Sequence, residues 1–207
     1  MKSSVCIETP RLRLSIPPPE LAGRYLDYFE RNREHLARWD PPRPEGFYTE
    51  AFWRERLQRD RDDLDADRAL RLAIQRRGAP GGEVIGICNF NQFVRGAFQA
   101  ATLGYSLDQR AVGSGVMSEA LEAALAYMFD TLGFHRVMAN YLPYNERSGR
   151  LLRRLGFVVE GYARDYLFID GAWRDHVLTA LTNPRAAPPG AWRAPAAPEG
   201  SAGQRHG

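Results

Sequence analysis

The sequence predicts an α/β fold of the α+β kind, a central mixed sheet flanked by helices. Three observations carry this expectation. Short segments of alternating apolar residues recur along the chain, separated by stretches with helical spacing. Residues 103–120, LGYSLDQRAVGSGVMSEA, run from an apolar strand through Gly113 and Gly115 directly into an amphipathic helix. Residues 136–162, RVMANYLPYNERSGRLLRRLGFVVEGY, then read as a strand, a break at Pro143, a helix and another strand.

Taken in order, Glu8 to Pro17 alternates Leu12 and Leu14 with arginines, which suits a half-buried first strand. A helix follows from Pro19 to about Trp39, with Leu21, Tyr25, Phe29 and Leu36 near helical spacing and the proline in its first turn. The DPPRP link breaks it, and Phe47 to Leu64 resumes helical spacing through Phe52, Trp53 and Leu57. ALRLAIQRR and EVIGICNFNQF read as strands joined at GAPGG, and Gln99 to Leu107 is a third strand leading to the glycine turn. Met117, Leu121, Ala124, Leu125 and Met128 mark one helical face. Strands near Arg136–Leu142, Val158–Ile169 and Arg174–Ala180 complete the sheet, and Asn145 caps the helix that Gly156 ends.

At 207 residues and 44% hydrophobic composition the chain has material for one core. Residues 1–183 are therefore expected to form one domain. Residues 184–207 are rich in Pro, Ala and Gly, and a disordered tail is expected there. No apolar run is long enough to span a bilayer and no signal-like segment opens the chain, so a cytoplasmic protein without membrane contact is expected. Cys6 and Cys88 are too few for a disulfide framework or metal cluster, and no metal is expected. The net charge of +3 is mild, and between Arg54 and Arg77 arginines alternate with aspartates, a solvated face with no stripe for specific DNA binding.

Two glycines two residues apart let the backbone turn its amides inward, and the helix that follows adds unpaired N–H groups and a positive dipole end. This is a socket for a phosphate or pyrophosphate. A dinucleotide fingerprint requires a third glycine where Ser118 stands, and the common nucleoside-triphosphate loop requires a lysine, whereas Lys2 is the only lysine in the chain. Neither motif fits.

The two segments together resemble the GCN5-related N-acetyltransferase (GNAT) superfamily. Its (Q/R)xxGx(G/A) motif is matched by Arg110, Gly113 and Gly115, and its NxxSxxLxxxLGF-like element from Asn145 through Ser148 to Phe157. NFNQFVRG, LGYSL, HRVMANYLPYNERSG and the segment EGYARDYLFIDGAWRDHVLTALTNP are similar to the ribosomal-protein-alanine branch, from about Thr9 to Pro184. The resemblance implies a mostly antiparallel sheet with splayed middle strands, acetyl-CoA as co-substrate, and the N-terminal alanine of a ribosomal protein as acceptor. The ribosome or its assembly intermediates are implied as partners.

It also implies roles for residues. Backbone groups of Ser106 and Leu107 pair with the pantetheine, amides of Val112, Gly113, Ser114, Gly115 and Val116 hold the pyrophosphate, Arg110 adds charge, and Asn145 and Ser148 complete the cofactor side. The amine attacks the acetyl carbonyl directly in a ternary complex, with a backbone N–H near Leu107 as oxyanion donor. Ser148 is the first candidate to protonate the CoA thiolate, with Tyr141 and Tyr144 as rivals. An α-amine titrates near 7.7 to 8.0, so a strong base is unnecessary. Water held by Asn89 and Asn140 serves as relay, with Glu160 and Asp165 as further candidates; Leu167 stands where a related branch has a glutamate. The early helices overhang the cleft, and Trp39, with Phe47, Tyr48 and Trp53, is a candidate for the peptide site. His135 and His176 read as structural. Two other readings stay open: an acetyltransferase for a small amine such as an antibiotic or polyamine, and a ribosome-assembly factor that acts by binding through its arginines.

Overall fold

The computed structural model describes residues 5–78 and 82–186. Most of the expected C-terminal tail, residues 187–207, lies outside the described residues. The expected first strand is two, β1 (Cys6–Glu8) and β2 (Leu12–Ser15), paired antiparallel. Pro10 has no N–H to give a ladder. Beside it Thr9 closes a turn, its N–H donating to the Leu12 carbonyl at 3.0 Å and its hydroxyl accepting from the Leu12 amide at 2.9 Å.

The expected first helix is also divided. A 3₁₀ turn (Pro19–Leu21) leads into α1 (Ala22–Arg31), and α2 (Arg33–Ala37) follows after Asn32. Asn32 is only 2% exposed, and its amide donates to the Tyr28 carbonyl at 2.9 Å. A short amide side chain that bonds nearby backbone competes with the helical ladder, which accounts for the break. Helix α3 (Glu50–Asp65) starts at Thr49, whose hydroxyl accepts from the Phe52 amide at 3.2 Å.

Strands β3 (Leu70–Arg76), β4 (Val84–Val94) and β5 (Ala100–Leu107) follow, then α4 (Val116–Ala126), which ends in a π-helical turn over Tyr127–Thr131. The chain closes with β6 (Arg136–Met138), α5 (Glu146–Arg154), β7 (Val158–Ile169) and β8 (Ala172–Thr182). Eight strands form one sheet in the order β1-β2-β3-β4-β5-β6-β8-β7. Every pairing is antiparallel except β5 with β6.

Burial follows the pleat. On one face Leu12, Leu14, Cys88 and Phe90 pack under α4 and α5, against Leu121, Met128 and Leu152. On the other face α1 and α3 cover Ala73 and Ile87 with Tyr25, Tyr28, Phe29 and Trp53. Strand β3 is buried along almost its whole length because helices cover both of its sides. The sheet is thus a partition between two chambers.

Candidate active site

The sheet opens at its middle. The β5–β6 register runs only from Ala100↔Arg136 to Thr102↔Met138. Beyond it the chain after β6 follows β8 instead, with the Ala139 amide donating to Thr179 at 2.9 Å and Tyr141 bridging Val177. Strand β5 continues alone to Leu107 on that side. The amide of Arg136 donates to the Gln99 carbonyl at 3.0 Å, and that of Asp108 to the Ile85 carbonyl in the opposite direction at 2.8 Å. Backbone groups alternate sides along a strand, so Leu103, Tyr105 and Leu107 turn theirs into the gap while Gly104 and Ser106 turn theirs to β4. Of the two residues expected to pair with pantetheine, Leu107 faces the gap with its backbone, and Ser106 does not. The Ser106 hydroxyl lies 2.9 Å from the Tyr28 hydroxyl, under α1.

At the end of β5 the chain forms a 3₁₀ turn (Gln109–Ala111) and then the glycine loop. Gly113 and Gly115 have φ of +81° and +76°, which side chains other than glycine's tolerate poorly. A Cβ at Gly113 would meet nothing within 4 Å, so the space over the loop is open. The amides of Val112 and Ser114 donate within the loop, to Gln109 at 3.3 Å and Ala111 at 3.4 Å. Those of Gly113, Gly115 and Val116 take no acceptor in the loop among the described residues. Together with the N-terminus of the eleven-residue α4 they form a cradle that fits a pyrophosphate.

The loop is braced by groups the sequence reading passed over. Arg11 donates from Nη1 to the Ser114 carbonyl at 3.0 Å and from Nε to Glu119 at 2.5 Å, which sets a guanidinium against Gly115. Asn32 accepts from the Gln109 amide at 3.0 Å. Asp108, 1% exposed, accepts from Arg31 at 2.7 Å and from both the amide and guanidinium of Arg110. Burial alone raises a carboxyl's pKa, but the bonds from Arg110 and Arg31 outweigh it and hold Asp108 well below the usual carboxylate range. Arg110 also meets Glu83 at 2.5 Å. Its charge is answered by two carboxylates, which fix its position beside the loop. A lone-motif reading could not show those partners.

Across the gap stands α5. The Asn145 side chain accepts from the Ser148 amide at 3.2 Å, the cap that orders the first turn. The Ser148 hydroxyl lies 2.6 Å from the Tyr105 hydroxyl. Burial pushes the Tyr105 phenol up to about 12 despite the opposing bond from Ser148, so it stays protonated at neutral pH. Tyr141 closes the group. Its ring lies so near Gly149 that a Cβ there would stand 2.9 Å from the ring edge. Ser148, Tyr141 and Tyr105 are thereby brought together at the gap, and Tyr105 is the member the sequence reading missed. Its place in LGYSL, two residues before Leu107, was the available signal.

The other candidates are distributed around this centre. Trp39 at the end of α2 contacts the ring of the exposed Tyr144 at 6.0 Å, which carries the early helices over the start of α5. Asn140 donates to the Tyr166 hydroxyl at 3.0 Å and accepts from the Thr179 amide. Asn89 lines a cavity on the α1–α3 face of β4. Phe47 and Trp53 are packed into the aromatic cluster of that face and are each 6% exposed. Glu160 is held by Arg136, and the Asp165 amide donates to Asp175 at 2.9 Å. His135 is exposed, whereas His176 is buried with Nδ1 3.0 Å from the Arg174 carbonyl. Among the described residues no helix is long and apolar enough to cross a membrane, and no group of three His, Cys, Asp or Glu is placed to hold a metal ion.

Comparison with known proteins agrees with this geometry. The acetyltransferase (GNAT) domain family matches residues 11–158. The [ribosomal protein uS5]-alanine N-acetyltransferase of Escherichia coli K12 is 46% identical over 180 residues, covering 87% of this chain and 92% of that protein. The crystal structure of the ribosomal-protein-S5-alanine acetyltransferase of Vibrio fischeri superposes with a TM-score of 0.84 at 35% identity, over 89% of this chain and all of that one. Mycobacterium smegmatis RimJ, solved with CoA-disulfide, gives 0.78 at 27% identity over 86% of each chain. The chain belongs to the GNAT family of acetyl-CoA-dependent N-acetyltransferases.

Proposed function

We propose that this enzyme transfers the acetyl group of acetyl-CoA to the N-terminal α-amine of a ribosomal protein that begins with alanine, in the cytoplasm. The observation that carries the reading is the 46% identity, over nearly the full length of both chains, to an enzyme with that acceptor. The geometry supports it. The glycine cradle receives the pyrophosphate, and the free edge of β5 from Leu103 to Leu107 receives the pantetheine amides as an added strand would be received. Acetyl-CoA supplies an activated acyl group; the chain supplies position and protons. Ser148 lies where it can pass its hydroxyl proton to the departing sulfur while Tyr105, a phenol at working pH, replenishes it through their 2.6 Å contact. Because an α-amine is already partly neutral near pH 7.5, ordered water at polar groups such as Asn140 suffices to take its proton.

The test is thiol release from acetyl-CoA with a panel of peptides that differ only in the first residue, beside small amines. Preference for the alanine-initiated ribosomal peptide is the expected result. Turnover confined to small amines would remove the acceptor assignment and leave the cofactor site, and tight CoA binding without turnover of any acceptor would favour an assembly factor.

A further inference from the structure

The glycine loop contains a turn that has two possible forms. Gly115 has φ of +76° and ψ of 0°, the values that a type II turn places at its third residue. The peptide joining residues 114 and 115 is then the central one. A type I turn connects the same end points with that peptide rotated by about 150–170°. A residue with a Cβ would resist the observed form, whereas glycine accepts either sign of φ. The glycine that permits this turn therefore also leaves it reversible.

The choice matters to an anion. The N–H and C=O of a trans peptide point in opposite directions, and this peptide is trans. The Ser114 carbonyl accepts from Nη1 of Arg11 at 3.0 Å. The Gly115 N–H is thereby turned away from Arg11, and it has no acceptor among the described residues. Rotated, the same peptide would put its carbonyl oxygen where the N–H now points, a partial negative charge set against the pyrophosphate.

Arg11 is itself held from several sides. Its amide donates to Oε1 of Glu119 at 3.0 Å, its Nε to Oε2 at 2.5 Å, and its carbonyl accepts from the Arg77 amide at 2.8 Å. Thr9 donates its hydroxyl to the same carboxylate at 2.5 Å. Glu119 stands in the first turn of α4, so the guanidinium is fixed relative to the helix that follows the loop. As an ion pair with its arginine half open to solvent, the contact adds little to stability. Its effect on the loop is larger. The bond to Ser114 fixes the direction of the 114–115 peptide, and a charged donor on the carbonyl polarises that peptide and strengthens the N–H on its far side.

We propose that Arg11 is a positioning residue for acetyl-CoA, one that holds the 114–115 peptide in the orientation that aims the Gly115 N–H at the pyrophosphate. The proposal rests on the assignment of the glycine loop to the pyrophosphate. The test uses the full-length enzyme and two measurements. One is CoA affinity by calorimetry, which needs no acceptor. The other is the ratio of kcat/KM for acetyl-CoA to that for S-acetylpantetheine, which carries the thioester and both amides and has no pyrophosphate. In Arg11→Ala the Kd for CoA is expected to rise by about tenfold or more, the worth of one charge-assisted hydrogen bond, and the ratio should fall by a similar factor. Glu119→Gln keeps the shape of the anchor and removes its charge, so it should reproduce part of both changes. Thermal melts establish that each variant is folded, and if Arg11→Ala does not fold, Glu119→Gln decides by the same two measurements. A merely structural role would slow both thioesters alike and leave the ratio unchanged. Unchanged CoA affinity, or an unchanged ratio, would overturn the role of Arg11 while leaving the loop assignment intact. Normal CoA affinity in Gly113→Val would overturn the loop assignment itself, and the role of Arg11 with it.

Discussion

At the scale of single residues the site depends on a hydroxyl pair and a backbone angle. If Ser148 supplies the proton to sulfur, Ser148→Ala should lower kcat by about 10²-fold, the smaller end of general-acid effects, with little change in KM for acetyl-CoA. Tyr105→Phe should reproduce part of that loss, because the phenol is the partner of the Ser148 hydroxyl at 2.6 Å. Steady-state kinetics of the two variants checks both, and an unchanged kcat in Ser148→Ala would transfer the role to Tyr141. Gly113→Val is expected to abolish CoA binding measured by calorimetry: its φ of +81° resists a β-branched residue and the added carbons would enter the open space over the cradle. Normal affinity in that variant would remove the loop from the cofactor site.

At the scale of elements, the glycine loop is an extension of the early helices as much as of β5. Asp108 joins Arg31 of α1 to Arg110 of the loop, so Asp108→Ala should cost about 3 kcal/mol, the lower end for breaking a buried charge pair because both arginines keep access to water. Urea unfolding measures it, and CoA affinity should fall with it. The sequence made much of this level legible. The turn at Gly113 and Gly115, the Asn145 cap and the stop at Gly156 each follow from local chemistry, and the structure has them where they were expected. What could not be read was long-range. Asn32 looks like an ordinary polar residue until its partner Gln109 is seen 77 positions away, and Tyr105 gains meaning only when α5 brings Ser148 to it. The break at Pro10 had a local signal that alternation of Leu12 and Leu14 concealed.

At the scale of the whole molecule, the two chambers on either side of the sheet bury groups that must stay neutral. Burial raises Cys88 from about 9 to about 12 and Tyr105 from about 10 to about 12. Each is an acid whose folded pKa exceeds its unfolded value, so its contribution to stability is complete below the unfolded value and is lost as pH rises through the folded one. Melting temperature should therefore hold steady from pH 7 to about 9 and fall between about 9 and 12. A flat profile across that window would contradict the burial of these groups.

The central claim is that the gap serves a peptide's α-amine. The most direct measurement is mass-spectrometric location of the acetyl group on an alanine-initiated ribosomal peptide that also contains lysine, after incubation with enzyme and acetyl-CoA near neutral pH. An α-amine near 7.7 to 8.0 competes with a lysine amine near 10.4, so near neutral pH a far larger fraction of the α-amine is in the neutral, attacking form. The account predicts acetylation of the first residue alone. Acetyl groups on lysine, or none on the peptide while small amines react, would contradict it.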